Sequence, residues 1–332
     1  MLVVVALGGN ALLRRGEPLA ADVQRANVAV AARAVAAIAA EHHVVLTHGN
    51  GPQVGLLALQ NAAYTEVPSY PLDVLDAETE GMVGYLLEQE LGRHLPPDRL
   101  ATLLTQVVVD PDDPAFGHPT KPVGPLYDRM EAERLAHRLG WSIARDGEAW
   151  RRVVPSPRPR SIVELPTIRI LVDHGVTVTC AGGGGIPVVP TPAGHLCGVE
   201  AVIDKDLAAA RLAIELDADA LLLLTDVDAV YTGWGTPTTR PLHDTTVAEL
   251  RALALPAGSM GPKVEAICSF VEGGGWLGAI GSLTDAAPIL RGVAGTRVWG
   301  RDTRDAERSA ASPRVDQPAS PRVAEAGATG TG

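Results

Sequence analysis

Several times along this chain a short apolar, largely β-branched run passes straight into a glycine-rich turn and then into helical periodicity. Leu2–Leu7 ends on Gly8-Gly9-Asn10, and 43–47 ends on His48-Gly49-Asn50-Gly51. Pro52 then stands in the first turn of the next helix, where its missing N–H costs nothing. Alternation of buried-type strands with helices predicts an α/β fold around a largely parallel sheet. Further strands are expected at 100–109, 176–180, 220–224, 276–280 and 296–299. Helices are expected at 22–40, with Asp22 as N-cap, and at 74–93, 161–173, 200–216 and 260–272.

Two segments break the rhythm. Residues 110–158 are rich in proline, glycine and charge, with one short helix near 130–139, and predict an inserted lid subdomain. Prolines at 119 and 122 would stiffen its tip. Residues 301–332 carry five arginines against five acids and repeat Ala-Ser-Pro-Arg-Val at 311–315 and 319–323. With so little apolar surface to offset its ordering entropy, this tail is expected to be disordered, beside a domain spanning 1–300.

At 332 residues and 46% hydrophobic, the chain can bury a full core. The formal charge of −11 argues against nucleic acid or an anionic membrane as the main partner. The three cysteines lie far apart, with no CxxC, and predict neither a disulfide framework nor a zinc ribbon. No apolar run nears the ~20 residues of a bilayer span. There is no basic segment before Leu2-Val3-Val4-Val5, so a soluble cytoplasmic protein is expected.

Of 28 basic residues only three are lysine: Lys121, Lys205 and Lys263. Nucleotide bias toward arginine explains the imbalance, but leaves open whether these three positions need a compact ammonium rather than a planar fork. All three fall in loop or helix-start contexts. Glycine-rich turns recur at Gly8-Gly9-Asn10, Gly49-Asn50-Gly51 and Gly182-Gly183-Gly184-Gly185, which would set backbone N–H groups along one sheet edge. One such turn is a tight turn; three on one sheet point to phosphate chemistry. There is no GxxxxGK[ST], and Gly49 to Gly55 misses the dinucleotide spacing by one residue.

Simpler roles compete at several positions. Asp226 and Asp228 after a strand could cap a turn. His48 reads as a hydrogen-bonded core histidine, Cys180 as a small buried apolar residue, and His42-His43 as structural. Gly81 and Gly84, among Met82, Tyr85, Leu86 and Leu91, permit close helix packing, in a homodimer interface or an internal contact.

In order, the motifs ALGGNAL, THGNGPQVG, TQVVVDPDDPAFGHPTKPVGP, WRRVVPSPRP, AGGGGIPVV, GVEAVIDKDLAAA, LLLLTDVDAVY, PAGSMGPKVEA and GTRV resemble the carbamate kinases of the amino-acid-kinase fold family. The likeness spans about 1–299, and TKPVGP with WRRVVPSPRP is its specific part. The resemblance implies a three-layer α/β/α sandwich with a largely parallel central sheet, a small protruding subdomain and a homodimer. It implies Mg²⁺-dependent exchange of ATP and carbamate with ADP and carbamoyl phosphate.

By the same resemblance, Lys205 and Lys263 contact the transferring phosphoryl group and Asp204 organises those lysines. The proline-stiffened insert would fold over as a hinged lid and bring Lys121 to the site. Gly8, Gly9 and Asn10 line the phosphate path with backbone donors. Gly49, Asn50 and Gly51 hold the carbamate, and Gly183 and Gly184 are also expected to bind substrate. Thr225, Asp226, Val227, Asp228, Tyr231 and Met260 form the nucleotide site. No dedicated carboxylate cage is read for Mg²⁺, which phosphate oxygens would hold. The rivals are a family kinase acting on acetylglutamate, glutamate or UMP, and a non-catalytic nucleotide- or oxyanion-binding protein on the same fold.

Overall fold

Residues of the first strand alternate in direction, and that alternation builds the molecule. In the computed structural model, which describes residues 1–14, 16–253, 255 and 260–300, Val3, Val5 and Leu7 point to one core. Val4 and Ala6 point to another. The first core is closed by helices Ala21–Ala39 and Leu72–Leu91, through Val28, Ala32, Val35, Val83 and Leu87. The second is closed by Lys205–Glu215 and Met260–Glu272, through Ala208, Leu212, Ala266 and Ile267. The result is a three-layer α/β/α sandwich whose central strands are buried on both faces.

Among the described residues the central sheet has eight strands. Four neighbours matter for function, in the order Ala220–Thr225, Leu2–Leu7, His43–His48 and Thr177–Thr179. All pair in parallel, so their C-terminal ends share one edge. Thr296–Trp299 runs antiparallel to Leu277–Ser282. Met1–Gly300 forms one compact unit. The tail from 301 lies outside the described residues. Among those residues no helix is long and apolar enough to cross a membrane.

Several boundaries differ from the sequence expectation. The strand expected at 100–109 is two strands, because Leu100–Thr102 finishes the central sheet while Gln106–Val109 enters a separate four-stranded sheet. Thr105 makes the turn, its N–H donating to Glu80 and its hydroxyl accepting from Ala181 N–H. The helix expected from 161 begins at Leu165, since Pro159–Ile162 pairs as a strand with 107–109. The helix expected from 200 begins at Lys205, because the Asp204 carboxylate caps the N–H groups of Asp206 and Leu207. Asp22 is not an N-cap: Ala20 holds that position and Asp22 lies in the first turn.

The insert is a three-stranded antiparallel sheet, Lys121–Tyr127, Ala149–Val154 and Ser142–Asp146, with helix Arg129–Leu139 against it. A small apolar core of Val54, Leu75, Val123, Val154 and Val202 seats it on the body. There Gly124 meets Gly55 of helix Gly51–Ala63, and a Cβ on Gly55 would fall 1.9 Å from Gly124 Cα. Lys121 is thus the first residue of a packed strand, not a loop tip.

Candidate active site

Four chain segments leave the shared edge of the sheet and converge. Gly8 donates to Leu224 O at 2.7 Å and Gly49 to Leu7 O at 3.1 Å. These two N–H groups therefore extend the ladder, which corrects the expectation that Gly8 offers a donor to phosphate. Gly9 and Asn10 open the short helix Gly9–Leu12, where first-turn N–H groups have no partner within the helix. Gly49 sits tight against Gly9, and a Cβ there would lie 3.2 Å from both Gly9 N and Lys205 Cδ. Across the edge, Asn10 Nδ2 donates to Asp226 Oδ2 at 2.7 Å.

The three lysines gather here. Lys121 Nζ donates to Asp204 Oδ2 at 2.8 Å. Lys263 Nζ donates to Asp206 Oδ2 at 2.9 Å, and Lys205 Nζ pairs with the other oxygen of Asp206. The expected role of Asp204 as organiser of Lys205 and Lys263 is corrected: Asp206 bridges those two, while Asp204 caps its helix and anchors Lys121. Asp206 was passed over because it stands symmetrically beside Lys205 in the sequence. Its place in the first turn, facing the core at 4% exposure, is a tertiary fact.

Three ammonium groups face two carboxylates, so the cluster carries one excess positive charge. Burial opposes ionisation of both aspartates, yet Lys121 holds the Asp204 carboxyl low, and Lys205 with Lys263 does so for Asp206. Burial pulls the Lys205 ammonium below its ordinary range, against the raising effect of Asp206. A net positive cluster of this kind favours an anion.

A different chemistry lies beside it. The loop Gly182–Gly185 crosses over Asn50, and Gly183 has φ +70, where a Cβ would fall 2.1 Å from Asn50 Nδ2. Gly184 lies against Ile203 O, which ties the loop to the start of the Lys205 helix. Asn50 occupies the N-cap of Gly51–Ala63 but makes no side-chain cap. Its Nδ2 donates instead to Asp76 Oδ1 at 3.0 Å and Thr79 Oγ1 at 2.8 Å. Asp76, Thr79 and Glu80 are buried on helix Leu72–Leu91. Burial pushes the Asp76 and Glu80 carboxyls well up, despite hydrogen bonds from Asn50 and Thr105 respectively. His48 is buried too, and burial lowers it to about 4, so it is a neutral core imidazole at pH 7.

On the far side, Thr225 ends its strand buried and donates to Asp226 Oδ1 at 3.0 Å. Val227 is half-buried between exposed Asp226 and Asp228, and Tyr231 OH donates to Asp228 Oδ1 at 2.9 Å. Met260 opens its helix packed against the second core. Among the described residues no group of three or more His, Cys, Asp or Glu is arranged to hold a metal ion. Cys180 is buried and its thiol is pushed up by burial. In the helix above, Gly84 packs inward on Thr102, whereas Gly81 faces open space.

A parallel sandwich with glycine loops and a lysine cluster on one edge defines a phosphotransferase of the small-molecule kinase type. Residues 1–280 match the model of the Amino acid kinase family. The carbamate kinase of Rhizobium meliloti is 57% identical over 299 residues, covering 89% of this chain and 92% of that protein. The carbamate kinase of Pyrococcus furiosus is 46% identical over 309 residues, covering 89% and 98%. A solved carbamate kinase from Giardia lamblia, bound to AMP-PNP, superposes with a TM-score of 0.82 at 43% identity, covering 90% of this chain and 98% of that one. The chain belongs to the amino acid kinase family and, within it, to the carbamate kinases.

Proposed function

We propose that this enzyme exchanges ADP and carbamoyl phosphate with ATP and carbamate. In the ATP-forming direction a terminal β-phosphate oxygen of ADP attacks the phosphorus of carbamoyl phosphate. The bond from phosphorus to the carbamoyl oxygen breaks, and its electrons leave with carbamate, which decays to ammonia and CO₂. Phosphoryl transfer asks the protein mainly for alignment and for neutralisation of charge on the moving group.

The observation that carries this reading is the sharing of Asp206 by Lys205 and Lys263. One carboxylate fixes two ammonium groups around a single point, preorganised before substrate arrives. Lys121, held by Asp204, adds charge from the insert and helps to shut out water on the carbamoyl side. Gly9 and Asn10 offer first-turn amides to the phosphates. Gly49, Asn50 and Gly51 hold the carbamate under Gly183 and Gly184. The nucleotide lies toward Thr225–Asp228, Tyr231 and Met260.

Asp204 and Asp206 are committed to lysines, and Asp226 and Asp228 accept from Asn10, Thr225 and Tyr231, so the residues fit Mg²⁺ arriving with the nucleotide and held by its phosphate oxygens. There it would neutralise charge on the transferring oxygens. The exposed side of helix Leu72–Leu91, with Val74, Met82 and Tyr85, supports a homodimer, and the enzyme would work in the cytoplasm. The deciding assay measures ATP from ADP, Mg²⁺ and carbamoyl phosphate, beside ATP consumption with acetylglutamate or UMP. Turnover with either of those acceptors and none with carbamoyl phosphate would overturn the reading.

A further inference from the structure

We propose that the amide oxygen of Asn50 reads the amino group of the carbamoyl substrate, and that Asp76 and Thr79 are positioning residues that aim this oxygen. The inference rests on the placement of the acceptor at Asn50 given above and goes beyond it to a basis for specificity.

The orientation of the Asn50 amide follows from its neighbours. Thr79 Oγ1 donates its one hydrogen to the Asp76 backbone carbonyl at 2.9 Å. Toward Asn50 it can therefore only accept, so the nitrogen, not the oxygen, must face it. Asp76 Oδ1 accepts from the same nitrogen. Both amide hydrogens are then used on helix Leu72–Leu91, and a flipped amide would set its oxygen against the Thr79 oxygen, which has no hydrogen left to give. The Gly183 backbone lies over the amide and limits its movement.

Oδ1 is left on the opposite branch. An asparagine at an N-cap ordinarily spends this oxygen on the N–H groups of the helix it begins. Here it does not, and among the described residues Oδ1 takes no hydrogen bond although Asn50 is 2% exposed. This leaves Oδ1 an acceptor available to a ligand at the site. The neighbouring Gly49 touches Gly9 and the Lys205 side chain, which puts this residue beside the phosphoryl-binding cluster.

The chemistry of the ligand matches. The nitrogen of carbamate or carbamoyl phosphate is conjugated with its carbonyl, so it donates two hydrogens and accepts none. Its complement is an acceptor that carries no charge, because a carboxylate there would repel the substrate anion. An amide oxygen meets both conditions. Acetyl phosphate, which puts a methyl group in place of that nitrogen, would leave Oδ1 unpaired and pay a desolvation cost.

The test compares carbamoyl phosphate with acetyl phosphate in ATP formation, or by competitive inhibition where acetyl phosphate turns over too slowly. Thr79→Val, nearly isosteric, and Asp76→Ala remove acceptors from the nitrogen edge. Each is expected to lower kcat/KM for carbamoyl phosphate about tenfold or more, chiefly through KM, with acetyl phosphate changing less than about threefold. Asp76→Asn keeps an acceptor oxygen and is expected to keep most of the discrimination. Equal losses on both substrates, or an unchanged ratio, would assign Asp76 and Thr79 a structural role and overturn the proposal. Thr79→Val decides the matter if Asp76→Ala does not fold. A wild-type enzyme inert toward carbamoyl phosphate would instead overturn the functional reading itself.

Discussion

Around the three lysines every charge meets an opposite charge, whereas around Asn50 the titratable side chains are enclosed with no ion pair among the described residues. Asp204 and Asp206 are held ionised by their ammonium partners despite burial. Asp76 and Glu80 are pushed toward the neutral acid, and each keeps one buried oxygen without a partner. His48 is held neutral from the other direction. The first cluster can act on a phosphoryl group through its field. The second has little field to offer and acts by holding shape and orientation. Substitutions that change charge should therefore separate the two regions.

The largest effects belong to the lysine cluster. Lys205→Arg and Lys263→Arg keep the charge but replace a compact ammonium with a planar fork, and each is expected to lose on the order of 10²-fold in turnover. Asp206→Ala removes the anchor of both lysines and should lose at least as much. Steady-state ATP formation measures all three, and near-native rates would show that the shared carboxylate is incidental. Lys121→Ala comes next, with a loss on the order of 10-fold to 10²-fold on carbamoyl phosphate and little change in ADP affinity by calorimetry. Equal loss of ADP affinity would move Lys121 to the nucleotide.

Gly55→Ala tests the seating of the insert, because the added methyl would lie 1.9 Å from Gly124 Cα. Relief requires strand Lys121–Tyr127 to move away, and about 1–3 kcal/mol of stability should be lost with it. Activity should fall alongside, toward that of Lys121→Ala. A variant of unchanged Tm and rate would mean that the insert does not depend on this contact.

The neutral cluster should show itself in pH dependence, with two opposite signs. Burial lowers His48 from 6.5 to about 4, so between these values the unfolded chain binds a proton that the folded one refuses. Stability is lost as pH falls through that window, by an amount on the order of 3 kcal/mol for complete burial. His48→Gln should flatten the acid side of the Tm profile. For Glu80 the folded form keeps a proton that the unfolded chain releases above its ordinary range, so its contribution falls as pH rises. Glu80→Gln should gain stability relative to wild type at pH 8 more than at pH 4. Parallel profiles in either variant would contradict the contrast between the clusters.

The three lysines stood out because the chain uses lysine so sparingly, and the structure gathers them at one sheet edge. The glycine turns were legible too, since strand–glycine–helix transitions are local chemistry. Asp76, Thr79 and Glu80 were missed, although a signal was present. They fall at helical spacing with Leu72, Leu75, Val83 and Leu87, which places acids and a threonine on the buried stripe of an otherwise ordinary helix. The boundary of the 100–109 strand was missed because its apolar run continues past Thr105, while the turn is made by partners far along the chain, Glu80 and Ala181.

The sequence by itself determined the alternating layers, the sheet edge that carries the glycine turns, and the three positions where an ammonium is kept. Periodicity and backbone freedom are properties of neighbouring residues, so they can be read along a line. Tertiary structure alone decided which aspartate holds which lysine. Asp204 and Asp206 flank Lys205 equally in the chain, but Asp204 caps the helix and meets the insert, while Asp206 turns inward to Lys263. It also decided the aim of the Asn50 amide, because an asparagine presents a donor and an acceptor alike until residues 26 and 29 positions away claim one edge.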